Sequence, residues 1–230
     1  MMKDKRTIMC NICSKRECMS GYPGGIPSYC IAAGSRQIIE RTKTEYSATD
    51  VITLYKAVGK IVADGYGKWP RIQEAIELAK ELKLNKIGLA GCTALIDEMS
   101  LIAELFIGAG FKVFSTACQM GRIPPEERGV DIDIKDFRGL YCNPIAQAEI
   151  LNERGTELNF MIGLCLGHDM LFTRYSKAPV STLIVKDRVT GHNPAAALYC
   201  SSHLLRLRKL YCGKDTASGI VPDPEKSTGH

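Results

Sequence analysis

Cysteine is the residue that could do chemistry here, and the chain holds ten. Four of them come early, as Cys10-Asn-Ile-Cys13, Cys18 and Cys30, a C-x2-C-x4-C-x11-C run broken by the turn-forming Gly21-Tyr-Pro-Gly-Gly25. Two intervening residues let a tight turn aim two thiolates at one ion, and the later pair completes a tetrahedron. A segment this poor in apolar residues cannot fold by burying them, so a metal would supply its core. Four free thiols in a loop is the bland alternative. Zinc suits four thiolates, and so does a [4Fe–4S] cluster.

A second set lies far apart in sequence, at Cys92, Cys118, Cys142 and Cys165. Free cysteine is often a small buried hydrophobe, so no one of these is a signal alone. Their positions relative to the elements around them are the signal. Lys86-Ile-Gly-Leu-Ala-Gly-Cys92 and Phe111-Lys-Val-Phe-Ser-Thr-Ala-Cys118 each read as an apolar strand ending in cysteine. Asn159-Phe-Met-Ile-Gly-Leu-Cys165 does the same and runs on through Leu-Gly-His168-Asp169 into a helix expected to reach Tyr175. Cys142-Asn143-Pro144 opens a helix through Asn152, with Asn143 or Cys142 as its cap and proline in its first turn.

The elements that must position these cysteines alternate. Helical spacing is expected from about Ser47, with Thr49 or Asp50 as cap, then over Arg71 to Leu82 and Thr93 to Ala109, and a fourth strand over Val180 to Lys186. Trp69 precedes the second helix and reads as packing. Strands alternating with helices predict an α/β fold, a parallel sheet of about four strands flanked by helices with right-handed crossovers. In such a sheet a ligand lies beyond the carboxyl ends of the strands, where all four cysteines would gather. Three parts follow: a cysteine-rich metal- or cluster-binding segment over 1–45, the α/β domain over 46–212, and a polar tail over 213–230.

His168, Asp169 and His192 are the candidate catalytic residues near that edge. Asp169 is equally explained as a first-turn carboxylate at a helix N-terminus, and His192, in Gly-His-Asn-Pro, as a turn residue. Lys186, Asp187 and Arg188 at the exit of the fourth strand could bind a small anion. Cys200, His203 and Cys212 fall on a C-terminal helical segment and read as outside the site.

Composition excludes some classes. A net charge of +5 from 30 basic and 25 acidic residues, well mixed, does not argue for nucleic acid. No apolar stretch approaches the roughly 18 residues of a membrane helix. The start, Met1 to Cys10, has no long apolar region, so no signal peptide is expected and a cytoplasmic location is. Ten cysteines in a reducing compartment point to metal or thiol chemistry rather than to a disulfide framework. No G-x-G-x-x-G follows the first strand and no Walker lysine is present, so nucleotide binding has no direct support.

Taken together, the Cys-x2-Cys-x4-Cys start, Gly-Cys92, Cys118-Gln, Cys142-Asn-Pro, Gly-Leu-Cys165-Leu-Gly-His-Asp and Val-Lys-Asp-Arg-Val-Thr-Gly-His-Asn-Pro194 resemble a prokaryotic family, the domain of unknown function eighteen-forty-seven. The resemblance covers nearly the whole chain and is most specific from Cys142 to Pro194. It implies metal binding and no particular reaction. The expectation is an iron–sulfur protein with a [4Fe–4S] cluster at Cys10, Cys13, Cys18 and Cys30 and a second at Cys92, Cys118, Cys142 and Cys165. The outer cluster would relay electrons to the inner one for reductive or sulfur-transfer chemistry. An electron donor or acceptor protein or a small-molecule substrate would be the partner. The alternatives are a non-enzymatic zinc-binding, metal-storage or metal-sensing protein, with zinc at the N-terminal site, and a binding module whose N-terminal zinc domain recruits a partner.

Overall fold

The computed structural model describes residues 10–13, 15–28, 30–129 and 141–213. The chain divides into two compact units, one ending at Asp64 and the other beginning at Gly65. The first half of the loop from Arg122 holds a 3-10 turn, Pro125–Arg128, and its second half lies outside the described residues. The start of the chain before Cys10 and the tail after Gly213 also lie outside them.

The first unit is built from two 3-10 turns, Cys10–Ile12 and Glu17–Ser20, and then helices α1 (Ile31–Gly34), α2 (Arg36–Glu45) and α3 (Thr49–Gly65). Irregular backbone is the expectation over the first forty residues. It holds between Gly21 and Ser28 and gives way to α1 and α2 beyond Cys30. No residue of α2 is buried, and only Ile38 and Ile39 of its ten residues are apolar. Helix α3 begins at Thr49, so Thr49 and Asp50, the expected caps, lie inside its first turn.

The second unit is the α/β domain. Its elements are α4 (Arg71–Glu81), β1 (Lys86–Gly91), α5 (Ile96–Gly108), β2 (Lys112–Ala117), α6 (Pro144–Arg154), β3 (Leu158–Ile162), α7 (His168–Tyr175), β4 (Val180–Ile184), α8 (Ala196–Tyr199) and α9 (Ser201–Cys212). All four strands pair in parallel in the order β2-β1-β3-β4. The expected strand–helix alternation is what forms, but β3 ends at Ile162 rather than at Cys165, α5 begins at Ile96 after a 3-10 turn from Thr93, and α6 runs on to Arg154. Trp69 packs its ring against the Gly65 backbone, where an added Cβ would strike it.

Alternate residues of each central strand feed opposite faces. Ile87 and Leu89 of β1 and Leu158, Phe160 and Ile162 of β3 join Ala75 and Ala79 of α4 and Met99, Ile102 and Phe106 of α5 in one core. Phe106 lies 5.3 Å from Phe160 and 5.8 Å from Phe111, ring centre to ring centre. Each of these buried rings stabilises the fold by roughly 2 kcal/mol relative to exposure. On the other face Ala90 and Met161 meet Ala148 and Leu151 of α6 and Phe172 of α7, together with Cys92, Cys118 and Cys142. The cysteines are therefore part of a core layer at one end of the sheet.

The opposite end is fixed by a buried polar chain. Asn159, fully enclosed in β3, accepts from the Thr156 hydroxyl at 2.8 Å and donates to Ser176 Oγ at 2.8 Å, which donates on to the Ala178 carbonyl. Every link is satisfied, as burial requires. No helix among the described residues is long and apolar enough to cross a membrane.

Gly163, which follows β3, adopts φ +63, and an added methyl there would run into Leu95 Cδ1. Both constraints exclude a side chain. Gly163→Ala is expected to destabilise the protein by about 1–3 kcal/mol, read as a lower urea midpoint.

Candidate metal centre at the carboxyl edge of the sheet

The strand order contains one reversal. From β1 the chain moves outward to β2, then passes back over β1 to lay β3 on its other side. The crossing makes the carboxyl ends of β1 and β3 the topological switch point, the place where open α/β sheets bind ligands. Cys92 is the first residue past β1, Cys118 the first past β2, and Cys165 the third past β3. Backbone hydrogen bonds continue the sheet to that rim: Cys92 N–H donates to Ile162 O at 3.0 Å and Cys118 N–H to Gly91 O at 2.9 Å. Cys142 arrives from the far side, one residue before the cap of α6. Asn143 is that cap, its side chain accepting from Ala146 N–H at 3.1 Å. Its own N–H donates to Cys118 O at 2.7 Å, tying the start of α6 to the exit of β2.

The sulfurs follow the backbone. Cys118 and Cys142 Sγ lie 3.5 Å apart, both buried. The Thr93 N–H donates to Cys118 Sγ at 3.3 Å, and the Thr93 hydroxyl lies at the same distance from it. Cys165 is half-buried and stands slightly apart, taking a hydrogen bond from the Arg188 guanidinium at 3.3 Å. It remains an electrostatic neighbour of Cys142, whose ionisation it opposes. Among the described residues no three Cys, His, Asp or Glu side chains are gathered tightly enough to hold one ion as they stand.

The thiols are not equivalent. The hydrogen bond to Cys118, then burial, pushes the Cys92 thiol well up, so it keeps its proton. The hydrogen bond it shares with Cys118 brings Cys142 down against the cost of burial, with help from the Arg128 charge. Arg128 also donates to the Cys142 carbonyl at 3.0 Å. Lys186 favours ionisation of Cys92. Arg128, Lys186 and Arg188 are thus the cationic neighbours of Cys142, Cys92 and Cys165 respectively.

Of the expected catalytic residues, His168 lies at this edge and the other two are occupied locally. His168 begins α7, and burial first, then the Arg128 charge, lowers its basicity, so the ring is neutral. Its Nδ1 is buried without a hydrogen-bond partner. Asp169 Oδ1 accepts from Gly167 N–H and Met170 N–H, both at 2.8 Å, which fixes the turn into α7. His192, at φ +67, accepts the Asp187 N–H on Nδ1 at 3.1 Å and donates its own backbone N–H to Asp187 O. Asp187 in turn caps Val189 and Thr190. Of the expected anion-binding trio, Arg188 and Lys186 instead face cysteines.

Sequence reading missed Thr93, Arg128 and Gln147. Gln147 of α6, fully enclosed, donates to the carbonyls of Gly91 and Thr116 at 3.2 and 2.8 Å. It clips together the two strand ends that release Cys92 and Cys118. Its Oε1 has no partner. Nothing in a helix carrying one glutamine signals this, because only the sheet's carbonyls give the residue its role.

At the N-terminus Cys10 and Cys13 are joined by a turn, Cys13 N–H to Cys10 O at 3.1 Å. Tyr22, itself at φ +57, places its hydroxyl 3.6 Å from Cys30 Sγ. That hydrogen bond, with the nearby charges of Cys30, Cys18 and Cys10, pushes the phenol up to about 12. Three of the four expected ligands therefore act on one side chain. Cys200 and Cys212, read as outside any site, are exposed.

Donor chemistry permits a metal at the inner edge. Four cysteine sulfurs are soft donors of the type that suits zinc or iron–sulfur ligation. The fold and edge together describe an α/β protein with four cysteines at the carboxyl edge beside its topological switch point. Residues 30–183 match the family described as "Protein of unknown function (DUF1847)", and the chain belongs to that family. It is also similar to the uncharacterized protein MJ0455 of Methanocaldococcus jannaschii, 38% identical over 207 residues, covering 87% of this chain and 98% of that one.

Because His168 holds a proton less readily folded than unfolded, its protonation favours unfolding. Its contribution to stability is complete above the ordinary histidine value of about 6.5 and is lost as pH falls through the lower folded value. His168→Gln is expected to flatten the fall in urea midpoint below about pH 6.5, measured across a pH series against the native chain.

Proposed function

We propose that the protein is a cytoplasmic thiolate metalloprotein, with an iron–sulfur centre held by Cys92, Cys118, Cys142 and Cys165 and a second centre held by Cys10, Cys13, Cys18 and Cys30. The observation that carries this reading is the delivery of four cysteines from four separate elements to one sheet edge, with Cys118 and Cys142 in sulfur contact. Hydrophobic packing alone would not need Thr93 N–H and the Arg188 guanidinium aimed at sulfurs. Those donors are what stabilise bound thiolates and tune a centre's potential. Ten free thiols suit a reducing compartment.

When bound, an iron–sulfur group supplies one-electron transfer. The chain's own contributions are separable from that. Thr93 and Arg188 hold the sulfur charge, Gln147 fixes the spacing of the strand ends, and His168 offers a neutral imidazole whose Nδ1 can accept a proton from a small substrate. Electron transfer or reductive and sulfur-transfer chemistry on such a substrate is the reaction class this supports.

Zinc is the second reading, and one distance favours it. Tetrahedral ligation at about 2.3 Å sets neighbouring sulfurs about 3.8 Å apart, close to the 3.5 Å between Cys118 and Cys142. A storage or sensing role would follow.

Protein purified without oxygen is expected to be brown, with iron and acid-labile sulfide in equal amounts and a visible band that bleaches on reduction. Colourless protein with stoichiometric zinc and no iron would sink the iron–sulfur reading. Separately, Cys165→Ala is expected to lose the iron of one centre and retain that of the other. A variant that keeps its full iron content removes the inner centre from the proposal.

A further inference from the structure

We propose that Cys118 and Cys142 form a reversible disulfide that closes the inner site to metal when the protein meets a peroxide. What the bridge regulates rests on the metal reading above; the pairing itself rests on geometry. The two sulfurs are 3.5 Å apart, and a disulfide needs them at about 2.05 Å, so they must close by only about 1.5 Å. Their approach is built into the backbone, since Asn143 N–H on the Cys118 carbonyl holds the two segments together at 2.7 Å. Neither partner depends on a mobile side chain, because both lie in the packed layer with Ala148, Leu151 and Phe172.

The remaining thiols have other commitments. Cys165 is half-buried against Arg188. Cys92 is held at the end of β1 by its N–H on the Ile162 carbonyl at 3.0 Å. Cys142, whose carbonyl accepts from the Arg128 guanidinium at 3.0 Å, is the attacking thiol. It attacks one oxygen of the peroxide, the O–O bond breaks, hydroxide leaves, and Cys142 becomes a sulfenic acid. Cys118 then attacks the Cys142 sulfur, forming the S–S bond as the S–O bond breaks and a second hydroxide leaves. The two thiol protons convert both hydroxides to water, and the two electrons lost by the thiols reduce the peroxide. Two of four ligands are then withdrawn, and Cys92 and Cys165 alone are too few for a closed thiolate site.

The test uses the full chain, reduced and metal-free, treated with equimolar hydrogen peroxide, alkylated, and digested without reductant. A Cys118–Cys142 cross-linked peptide is expected, with zinc and iron uptake by the inner cysteines abolished and then restored by a thiol reductant. Uptake is read in Cys10→Ser/Cys13→Ser protein so that the N-terminal cysteines do not contribute. A Cys92–Cys118 bridge, or Cys118 and Cys142 both still open to alkylation after denaturation, overturns the pairing. Oxidised protein that takes up as much metal as reduced protein overturns the switch. Reduced protein that forms the mapped bridge yet takes up no metal overturns the metal reading and the switch with it, leaving the pair's redox chemistry standing.

Discussion

The pairing of β1 with β3 is the contact on which the site depends. These strands are neighbours in the sheet but not in sequence, and β2 is made between them. The chain must therefore cross back over β1, and the crossing leaves the ends of β1 and β3 with helices on opposite faces. Cys92 N–H on the Ile162 carbonyl continues the ladder to the rim. Every cysteine of the inner group is placed relative to that rim, and Gln147 and Asn143 secure the two remaining approaches. A change that loosened this pairing would move all four thiols at once.

Much of this was readable beforehand because the strands announce themselves. Short apolar runs ending in Gly-Cys or Ala-Cys and alternating with 3.6-residue periodicity leave few folds to choose from, and a parallel sheet puts its strand ends on one side. Cys92, Cys118 and Cys165 could be placed by that logic alone. Helix α2 could not, since none of its side chains is buried and glycine, proline and cysteine dominate the run before it.

The electrostatics of the site were largely hidden, for a physical reason. Gln147, Arg128 and Arg188 are polar residues with ordinary neighbours, and their roles come from groups far away in sequence: strand carbonyls for Gln147, the Cys142 carbonyl for Arg128, the Cys165 sulfur for Arg188. Asp169 and His192 had chemically suggestive neighbours, and each gives one polar atom, Asp169 Oδ1 and His192 Nδ1, to the turn that contains it. Short-range hydrogen bonding of Asp and His to nearby backbone is a common competitor to any catalytic reading.

The scatter of the inner cysteines also bears on how the protein is made. Cys10, Cys13, Cys18 and Cys30 emerge from the ribosome within one short stretch and need no distant partner to come together. The inner group spans Cys92 to Cys165 and meets only after β3 has been synthesised and threaded against β1. Until then the three thiols that end up buried are open to the surroundings, and afterwards only Cys165 still faces partly outward. In the finished domain Cys165, beside the Arg188 guanidinium, is the one thiol of the four that is not fully enclosed.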